Sequence, residues 1–315
     1  MTTARSKSAW LDAYLLQLRV QRKLSSHTVD AYRRDLHELL AFSGETPWQA
    51  LPHSEVRRHA FKLHASGLTP RSIARKLSSW RGFFNWLSSE TSLDANPVDG
   101  VRAPKRAKSL PKALSVDDAG HLVAPGQHQQ GQQEREKMCD RAMVELLYSS
   151  GLRVSELTSL DTHFCKADAS GDASLGWLDL ANFEVVVTGK GNKMRKVPVG
   201  KGALVALSAW LAARPPARDG SAALFLSARG TRISPRVVQL RLKKHALATG
   251  IPANVHPHVL RHSFASHVLQ SSGDLRAVQE MLGHASITST QVYTALDFQH
   301  LSEVYDKAHP RAHSK

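Results

Sequence analysis

Apolar residues recur at helical spacing through the first ninety positions. Trp10, Tyr14 and Leu18 repeat every four residues and form one apolar face. A second helix is predicted after Ser25-Ser26, with Arg33, Arg34 and Asp35 at polar positions, and a third from about residue 71 to residue 87. The inward positions of these two helices are Val29, Tyr32, Leu36, Leu39 and Leu40, then Ile73, Leu77, Trp80, Phe84 and Leu87. The pattern predicts a helical bundle over residues 1–90.

The helical periodicity stops between residues 91 and 112. Positions 96–112 read NPVDGVRAPKRAKSLPK and contain three prolines and five Lys or Arg. Such a composition is typical of an extended linker, and its charge would also suit a phosphate backbone. We therefore place a basic linker at 91–112.

The pattern after the linker mixes helices with a few strands. Ser115 is a helix N-cap candidate, 126–135 is expected to be an exposed loop, and a helix over 136–150 should end at Gly151. A loop rich in Asp, Ala, Ser and Gly is expected at 161–176. Strands are predicted at 177–180, 183–188 and 194–199, with a hairpin turn at 189–193. The expected fold is mainly α (α+β): a helical bundle at 1–90, then a mostly helical domain at 113–306 with a small antiparallel sheet, and a tail at 307–315.

The charge of the chain points to an anionic partner. The net charge is +15 over 315 residues, and residues 1–112 carry 19 Lys and Arg against 9 Asp and Glu. Lys and Arg that replace condensed counterions favour nucleic acid. An anionic membrane is the alternative, but the sequence has neither a signal peptide nor a long apolar run, so membrane insertion is not expected.

Two sets of basic residues are candidate DNA contacts, and simple solvation of a charged surface is the alternative for both. The first set lies on the third predicted helix, and the second lies in and just before a helix predicted at 235–248, which also carries Lys243. The candidates are Arg71, Arg75, Lys76, Arg232, Arg236, Arg241 and Lys244.

The cysteines indicate neither a metal site nor a disulfide framework. Cys139 and Cys165 are the two cysteines of the chain, and neither has the spacing of metal ligands. They suit a reducing cytoplasm, and Cys139 is expected to be a small buried residue. We expect no metal and no cofactor.

Candidate chemistry is concentrated near the end of the chain. HPHVLRH at 256–262 places His258 and Arg261 three residues apart on the first turn of a helix that begins at Pro257. LGH at 282–284 follows, and then comes Tyr293. Each residue has an ordinary structural explanation by itself, since a helical tyrosine is usually a packing residue, as we expect for Tyr148 and Tyr305.

Two basic residues nearer the start of the chain also have ordinary structural explanations by themselves. Arg153 follows the Gly151 helix stop in GLRVSEL, and Lys190 lies in the turn sequence TGKG, which lacks the spacing of a P-loop. The order of all these residues is more informative than any of them. A basic residue, a turn lysine, H-x-x-R, a glycine-histidine and a tyrosine nine residues later suit attack on a phosphodiester by a tyrosine, with cations holding the phosphate.

This order resembles the tyrosine site-specific recombinases, or integrases, of the bacterial Xer type. The resemblance extends over nearly the whole chain. Recombinases of this type work as pairs, and the tail at 297–312 is similar to the tail of the recombinase that acts with XerD rather than to the tail of XerD. The tracts at 126–135 and 161–176 depart from the family pattern. The catalytic positions that the resemblance implies are Arg153, Lys190, His258, Arg261, His284 and Tyr293.

The resemblance also implies a mechanism. Tyr293 would attack the phosphorus to give a 3′-phosphotyrosyl enzyme, with no need for ATP or metal, while Arg153 and Arg261 bind the nonbridging oxygens. Lys190 would protonate the departing 5′-oxygen, His258 would assist proton transfer from Tyr293, and His284 would donate to the phosphate.

The implied partners are a double-stranded DNA recombination site, a XerD-like recombinase in a heterotetramer, and a septal DNA translocase that controls the resolution of chromosome dimers at cell division. A C-terminal helix near 298–307 would dock into a neighbouring protomer or pack on its own domain. A phage or mobile-element integrase, a type IB topoisomerase-like enzyme and an architectural DNA-binding protein remain alternatives.

Overall fold

A computed structural model describes residues 5–22, 24–105, 113–123, 132–166, 173–189, 193–251, 255–283, 304–305 and 308–310. The chain divides into two compact units, Met1–Ser109 and Leu110–Lys315. Each unit has a hydrophobic core of its own.

The first unit is a bundle built on α1 (Lys7–Val20), α2 (Ser26–Ser43), α3 (His53–Ala65) and α4 (Pro70–Glu90). Side chains at the starts of α1, α2 and α4 cap the helices, since Ser6, Ser25 and Thr69 each accept a hydrogen bond from a backbone N–H of the first turn. The largest buried side chains of the core are Tyr14, Trp48, Trp80, Phe83 and Phe84.

Helix α3 was not predicted from the sequence. Its core-facing residues are Val56, Ala60 and the partly buried Leu63, while the large Phe61 is 63% exposed, so its apolar face is narrow and buries few large side chains. The segment after α4 also differs from the extended linker expected from residue 91. Val98 and Val101 are buried in the bundle core, and the Arg81 guanidinium donates to their carbonyls at 3.1 and 3.0 Å.

A buried ion-pair cluster connects α2 with α4. Asp35, expected at a polar position, is fully buried, and its carboxylate accepts hydrogen bonds from Arg75 and, at 3.5 Å, from Lys76. Lys76 is itself buried and donates to Glu38 at 2.5 Å. Because an unpaired buried charge is costly, the buried Asp35 and Lys76 require these partners, while the Arg75 side chain stays 42% exposed.

Removing the buried carboxylate should destabilise the first unit. Asp35→Ala leaves the cationic groups of Arg75 and Lys76 short of a partner, at an expected cost of about 3 kcal/mol in the free energy of unfolding. Asp30→Ala on the same helix is the matched control, because the Asp30–Arg33 pair is half exposed and should contribute less than about 1 kcal/mol. Urea unfolding of both variants measures the difference, and equal losses would contradict the assignment.

The second unit is organised around one buried helix. The helices are α5 (Val116–Val123), α6 (Gln132–Ser150), α7 (Val154–Thr158), α8 (Lys201–Ala213), α9 (Pro235–Ala248), α10 (Pro257–Ser272) and α11 (Leu275–Leu282). Residues 142–150 of α6 are all buried, and α8 and α10 pack against this helix. Helix α6 begins at Gln132, so the end of the tract expected to be a loop at 126–135 is helical; residues 126–131 lie outside the described part.

A four-stranded sheet lies beside these helices. Its order is β1 (Leu160–Asp161), β2 (Gly176–Asp179), β3 (Glu184–Thr188) and β4 (Met194–Pro198). The neighbours β2–β3 and β3–β4 are antiparallel, whereas β1 pairs parallel to β2. The mainly helical prediction with one small sheet is confirmed, with the correction that the short strand β1 makes the sheet mixed rather than purely antiparallel.

Helix α10 also packs against the start of the second unit and against part of the tail. His267 donates from Nε2 to the Leu114 carbonyl at 3.0 Å and accepts at Nδ1 from the Tyr148 hydroxyl at 2.9 Å. Tyr305 and Ala308 are buried against Phe264 and Val268 of the same unit, although most of the predicted helix at 298–307 lies outside the described residues. Tyr148 and Tyr305 are thus packing residues, as expected, and the described tail residues pack on their own unit.

Candidate functional site

Arg153 is fixed at the junction of two helices. Gly151 ends α6 in the left-handed conformation (φ 57°), Leu152 is fully buried, and Arg153 occupies the N-cap position of α7. The Glu156 carboxylate accepts from the Arg153 backbone N–H at 2.8 Å and from its Nη1 at 2.7 Å. The Arg153 side chain is 37% exposed, so it is oriented by Glu156 while remaining open to a ligand.

His258 and Arg261 lie on the first turn of α10. Pro257 occupies the first helical position, where its missing N–H costs nothing, and His258 is exposed. Arg261 is buried and donates from Nη1 to the Gly151 carbonyl at 2.6 Å and from Nη2 to the Leu282 carbonyl at 2.5 Å. Burial, with the neighbouring Arg153 charge, lowers the pKa of Arg261 to about 10, so the group remains a cation at neutral pH.

A buried salt bridge that the sequence analysis did not predict lies beneath these residues. Arg195 on β4 donates to the two carboxylate oxygens of Glu156 at 2.9 Å each, and both side chains are almost fully buried. Burial by itself would raise the pKa of Glu156, but hydrogen bonds and charge from Arg195 and Arg153 lower it below its ordinary value. Glu156 is therefore an anion that orients two arginines.

Two sequence signals could have indicated this pair. Glu156 stands three residues after the helix start at Arg153, which is the spacing of a capping box. Arg195 occupies an inward position of β4, between the exposed Met194 and Lys196, where an apolar residue would be expected. Neither signal identifies the partner, which is 39 residues away along the chain.

The carboxyl end of α11 is held by three arginines. The carbonyls of Met281, Leu282 and Gly283 accept from Arg195 Nε at 2.9 Å, Arg261 Nη2 at 2.5 Å and Arg153 Nη2 at 3.3 Å, respectively. Cations are favourable at a helix carboxyl end, where carbonyls have no partner within the helix. Residue 283 is thereby fixed at the same site as Arg153 and Arg261.

An open cavity of about 640 Å³ lies over the arginines, and its wall includes Arg153, Gln239, His256, His258 and Arg261. The rings of His256 and His258 are parallel, with centroids 6.2 Å apart. Burial, together with the adjacent His258, lowers the pKa of His256. Three guanidinium groups surround one carboxylate, so the cavity carries excess positive charge and suits a phosphate group.

The structure brings together three of the six predicted catalytic residues. Arg153, His258 and Arg261 line the same cavity although more than a hundred residues separate the first from the others. Lys190, His284 and Tyr293 lie outside the described residues. Their described chain neighbours Gly189 and Gly283 both lie close to Arg195, at the base of the site.

Four of the seven candidate DNA contacts are committed to protein partners. Lys76 is buried and ion-paired, and Arg75 pairs with Asp35. Arg232 donates to Asp161 at 2.6 Å, and Arg241 donates to Asp140 at 2.6 Å. All four take part in ion pairs of the fold. Lys76 and Arg241 are mostly buried, whereas the side chains of Arg75 and Arg232 are 42% and 37% exposed, so their contact with DNA stays a prediction. Arg71, Arg236 and Lys244 are exposed.

Other ligand classes find little support in the described part of the chain. No described cluster of His, Cys, Asp or Glu could hold a metal ion. Cys139 is buried and Cys165 partly exposed, both as free thiols. Among the described helices, none combines the length and the apolar content needed to cross a membrane.

Comparison with known proteins gives matches along nearly the whole chain. The sequence model of the phage integrase family matches residues 128–300, and that of the phage integrase N-terminal SAM-like domain matches residues 11–91. Tyrosine recombinase XerC 1 of Ralstonia nicotianae is 54% identical, with 97% of this chain and 94% of the relative covered. Tyrosine recombinase XerC of Pseudomonas aeruginosa is 46% identical, with 97% and 96% covered.

A solved structure has the same fold. The lambda integrase fragment 75–356, solved as a dimer bound to a COC′ core site, matches with a TM-score of 0.66 at 18% identity. The match covers 92% of this chain and 99% of that one.

Proposed function

This chain belongs to the phage integrase family of tyrosine recombinases, and we propose that it cuts and rejoins DNA at a specific site through a 3′-phosphotyrosyl intermediate on Tyr293. The observation that carries the proposal is the convergence of Arg153, His258 and Arg261 on one cationic cavity. The names of the XerC relatives agree with the Xer-type resemblance and support a DNA strand transferase.

In the proposed reaction the two cavity arginines hold the scissile phosphate. Arg153 is partly exposed and held by Glu156, and Arg261 is fixed by two backbone carbonyls, so their donors need little reorganisation when phosphate binds. Each arginine offers planar donors that are charged at neutral pH to the nonbridging oxygens. They stabilise the negative charge that develops around phosphorus in the transition state.

The remaining steps are proton transfers. Tyr293 loses its proton, assisted by His258, and its oxygen forms the new bond to phosphorus while the bond to the 5′-oxygen breaks. Lys190 gives a proton to that leaving oxygen, and His284 donates a hydrogen bond to the phosphate. The phosphodiester energy is retained in the phosphotyrosyl bond, so rejoining by a 5′-hydroxyl needs neither ATP nor a metal ion.

The first unit is proposed to be the core-binding domain at 1–90, joined by the segment 91–112 to the catalytic domain at 113–306. The SAM-like match at residues 11–91 and the excess of Lys and Arg before residue 113 support a DNA-binding role. The lambda integrase structure, which contains a core site, is consistent with DNA contact by a chain of this fold.

We further propose a cellular role from the XerC relatives. The chain would act in the cytoplasm with a XerD-like recombinase, two copies of each on one chromosomal site, and resolve chromosome dimers before division. A DNA translocase at the septum would control the reaction. This role is distinguished from that of a phage or mobile-element integrase by its substrate, which is two identical sites on one chromosome rather than two different attachment sites.

Trapping a covalent adduct tests the proposed function. Fragments of chromosomal DNA that bind to the protein would supply the site. A nick placed beside the cleavage position lets the short fragment with the 5′-hydroxyl diffuse away after cleavage, so the adduct accumulates. The expected product is a protein–DNA adduct that forms on this site and not on unrelated DNA. Adducts on every duplex would indicate a topoisomerase-like enzyme, and binding without an adduct would indicate an architectural protein.

The face of α9 that borders the cavity is predicted to contact DNA phosphates. Arg236 and Lys243 are exposed and share one side of the helix with the cavity residue Gln239. Changing both to Gln should weaken site binding and reduce the slope of log K against log salt by about 2, which is roughly one unit for each lost phosphate contact. Fluorescence anisotropy over a range of salt concentrations measures the slope.

Lys244→Gln is the matched control for this face: the sequence makes Lys244 a candidate DNA contact, but the proposal for this helix assigns contact to the side that borders the cavity and not to Lys244. Lys244 is exposed on the same helix but points about 140° away from Gln239, at 100° per residue. Its replacement removes one charge and should leave the slope nearly unchanged. If Lys244→Gln lowered the slope as much per charge as the double variant, only the total charge would matter and the contact assignment would be wrong.

A further inference from the structure

Arg195 is a buried cation that the proposed reaction does not use. All three guanidinium nitrogens have partners: two donate to Glu156, and Nε donates to the Met281 carbonyl at 2.9 Å. Its side chain thus connects β4, α7 and the end of α11. A buried arginine is costly unless fully paired, so a position this well satisfied indicates a constraint on those three elements.

Two glycines enclose the Arg195 side chain. A Cβ atom built on Gly283 would lie 3.1 Å from Arg195 Cδ and 3.2 Å from its Nε, and one on Gly189 would lie 3.4 Å from Nη1. Gly283 also has a positive φ of 62°, which favours glycine. Lys190 follows Gly189 directly in the chain, and His284 follows Gly283. Arg195 therefore packs against the residue before each of two predicted catalytic groups.

Arg195 also determines how strongly the negative charge of Glu156 offsets the positive charges of Arg153 and Arg261. Glu156 lies 2.7 Å from Arg153 Nη1 and 4.0 Å from Arg261 Nη1, in addition to its two bonds with Arg195. With Arg195 present, three cations share one carboxylate and positive charge remains for a ligand. Without it, the carboxylate would have Arg153 and Arg261 as its nearest cations and would offset the charge that binds phosphate.

We propose that Arg195 is a positioning residue of the strand-transfer site, which neutralises Glu156 and fixes the end of α11 so that Arg153 and Arg261 keep their charge and geometry for the scissile phosphate. This inference rests on the proposed function. Arg195 acts through Glu156 and the backbone and does not touch the DNA.

The test compares Arg195→Met with the double variant Arg195→Met/Glu156→Gln on the nicked substrate. Single-turnover rates of adduct formation are measured at saturating protein, with DNA affinity and the unfolding midpoint measured in parallel. Arg195→Met should form the adduct about 100-fold more slowly, because small displacements of preorganised donors have effects of this size, while DNA affinity changes less than about threefold. The double variant should recover at least about tenfold of the rate, since the uncompensated carboxylate is gone.

Two further variants separate positioning from general stability. Arg241→Met is the matched control, because Arg241 also pairs with a carboxylate and a carbonyl in this unit; its adduct rate should equal that of the wild type. Arg195→Lys retains a buried cation if Arg195→Met does not fold, and it should also be slow because it cannot hold both carboxylate oxygens and the Met281 carbonyl.

The outcomes are distinct. A wild-type adduct rate in Arg195→Met or Arg195→Lys would overturn the proposal, as would a rate loss that Glu156→Gln does not relieve. Absence of an adduct with the wild-type chain would instead refute the proposed function itself.

Discussion

Tyr293→Phe is expected to bind the recombination site as tightly as the wild-type chain and to form no covalent adduct. The substitution removes one oxygen, the atom that attacks phosphorus, and leaves the cationic cavity unchanged. The loss should therefore be complete, rather than a reduction in rate, on a nicked substrate that accumulates the wild-type adduct. Denaturing gel electrophoresis of labelled DNA measures the adduct, and anisotropy measures the affinity.

The other tyrosines explain why no substitute nucleophile is expected. The chain has five, and Tyr14, Tyr148 and Tyr305 are each 1% exposed. Burial raises the pKa of Tyr14 to about 12, which further disfavours its phenolate. Tyr32 is half-buried in the first unit. Tyr32→Phe is the matched control and should form the adduct at the wild-type rate; an adduct that persists in Tyr293→Phe would remove Tyr293 as the nucleophile.

Arg261→Ala is expected to slow adduct formation by a factor of about 10²–10³, which corresponds to about 3–4 kcal/mol of transition-state stabilisation. The variant loses a phosphate donor and also leaves the Gly151 and Leu282 carbonyls without their partner. Arg261→Lys should recover little of the rate, because an ammonium group cannot hold two separated carbonyls and still present a planar donor pair to the cavity. Single-turnover kinetics at saturating protein measures both variants.

The pH dependence gives a second test of Arg261. Its pKa of about 10 lies below the ordinary value for arginine, so its charge is complete at neutral pH and is lost as the pH rises through 10. The Arg261 contribution to the rate should be constant between pH 7 and 8.5.

His262→Ala is the control for the Arg261 substitutions on the same helix, since His262 is exposed and does not line the cavity. A wild-type rate in Arg261→Ala would exclude this arginine from the phosphate site.

Several helices and their ends were predictable from sequence. The helix predicted at 235–248 matches α9, and Gly151 ends α6 as expected. Helix α3 was missed because it buries few large residues, and Asp35 was assigned to a polar face because its partners lie on another helix. Local pattern does not show when a charged side chain is compensated by tertiary contacts.

The order of the catalytic residues was readable from the sequence, but their arrangement was not. Arg153 and Arg261 meet through the backbone around Gly151 and the end of α11, across contacts 110 and 130 residues apart. Glu156 and Arg195 carry no catalytic signature of their own, and their role emerges from hydrogen bonds that join α7, β4 and α11. The structural support for the site is therefore the part that sequence reasoning could not supply.

Mapping the attachment point of the trapped DNA tests most directly whether the cationic cavity serves attack by Tyr293. The adduct would be digested with nuclease and trypsin, and the nucleotide-bearing peptide analysed by fragmentation mass spectrometry. Cleavage after Arg276 and Lys307 leaves Tyr293 and Tyr305 in one peptide, so fragmentation must separate them. The predicted result is a nucleotide joined through its 3′-phosphate to Tyr293. A nucleotide on any other residue, or one joined through a 5′-phosphate, would contradict the proposed chemistry.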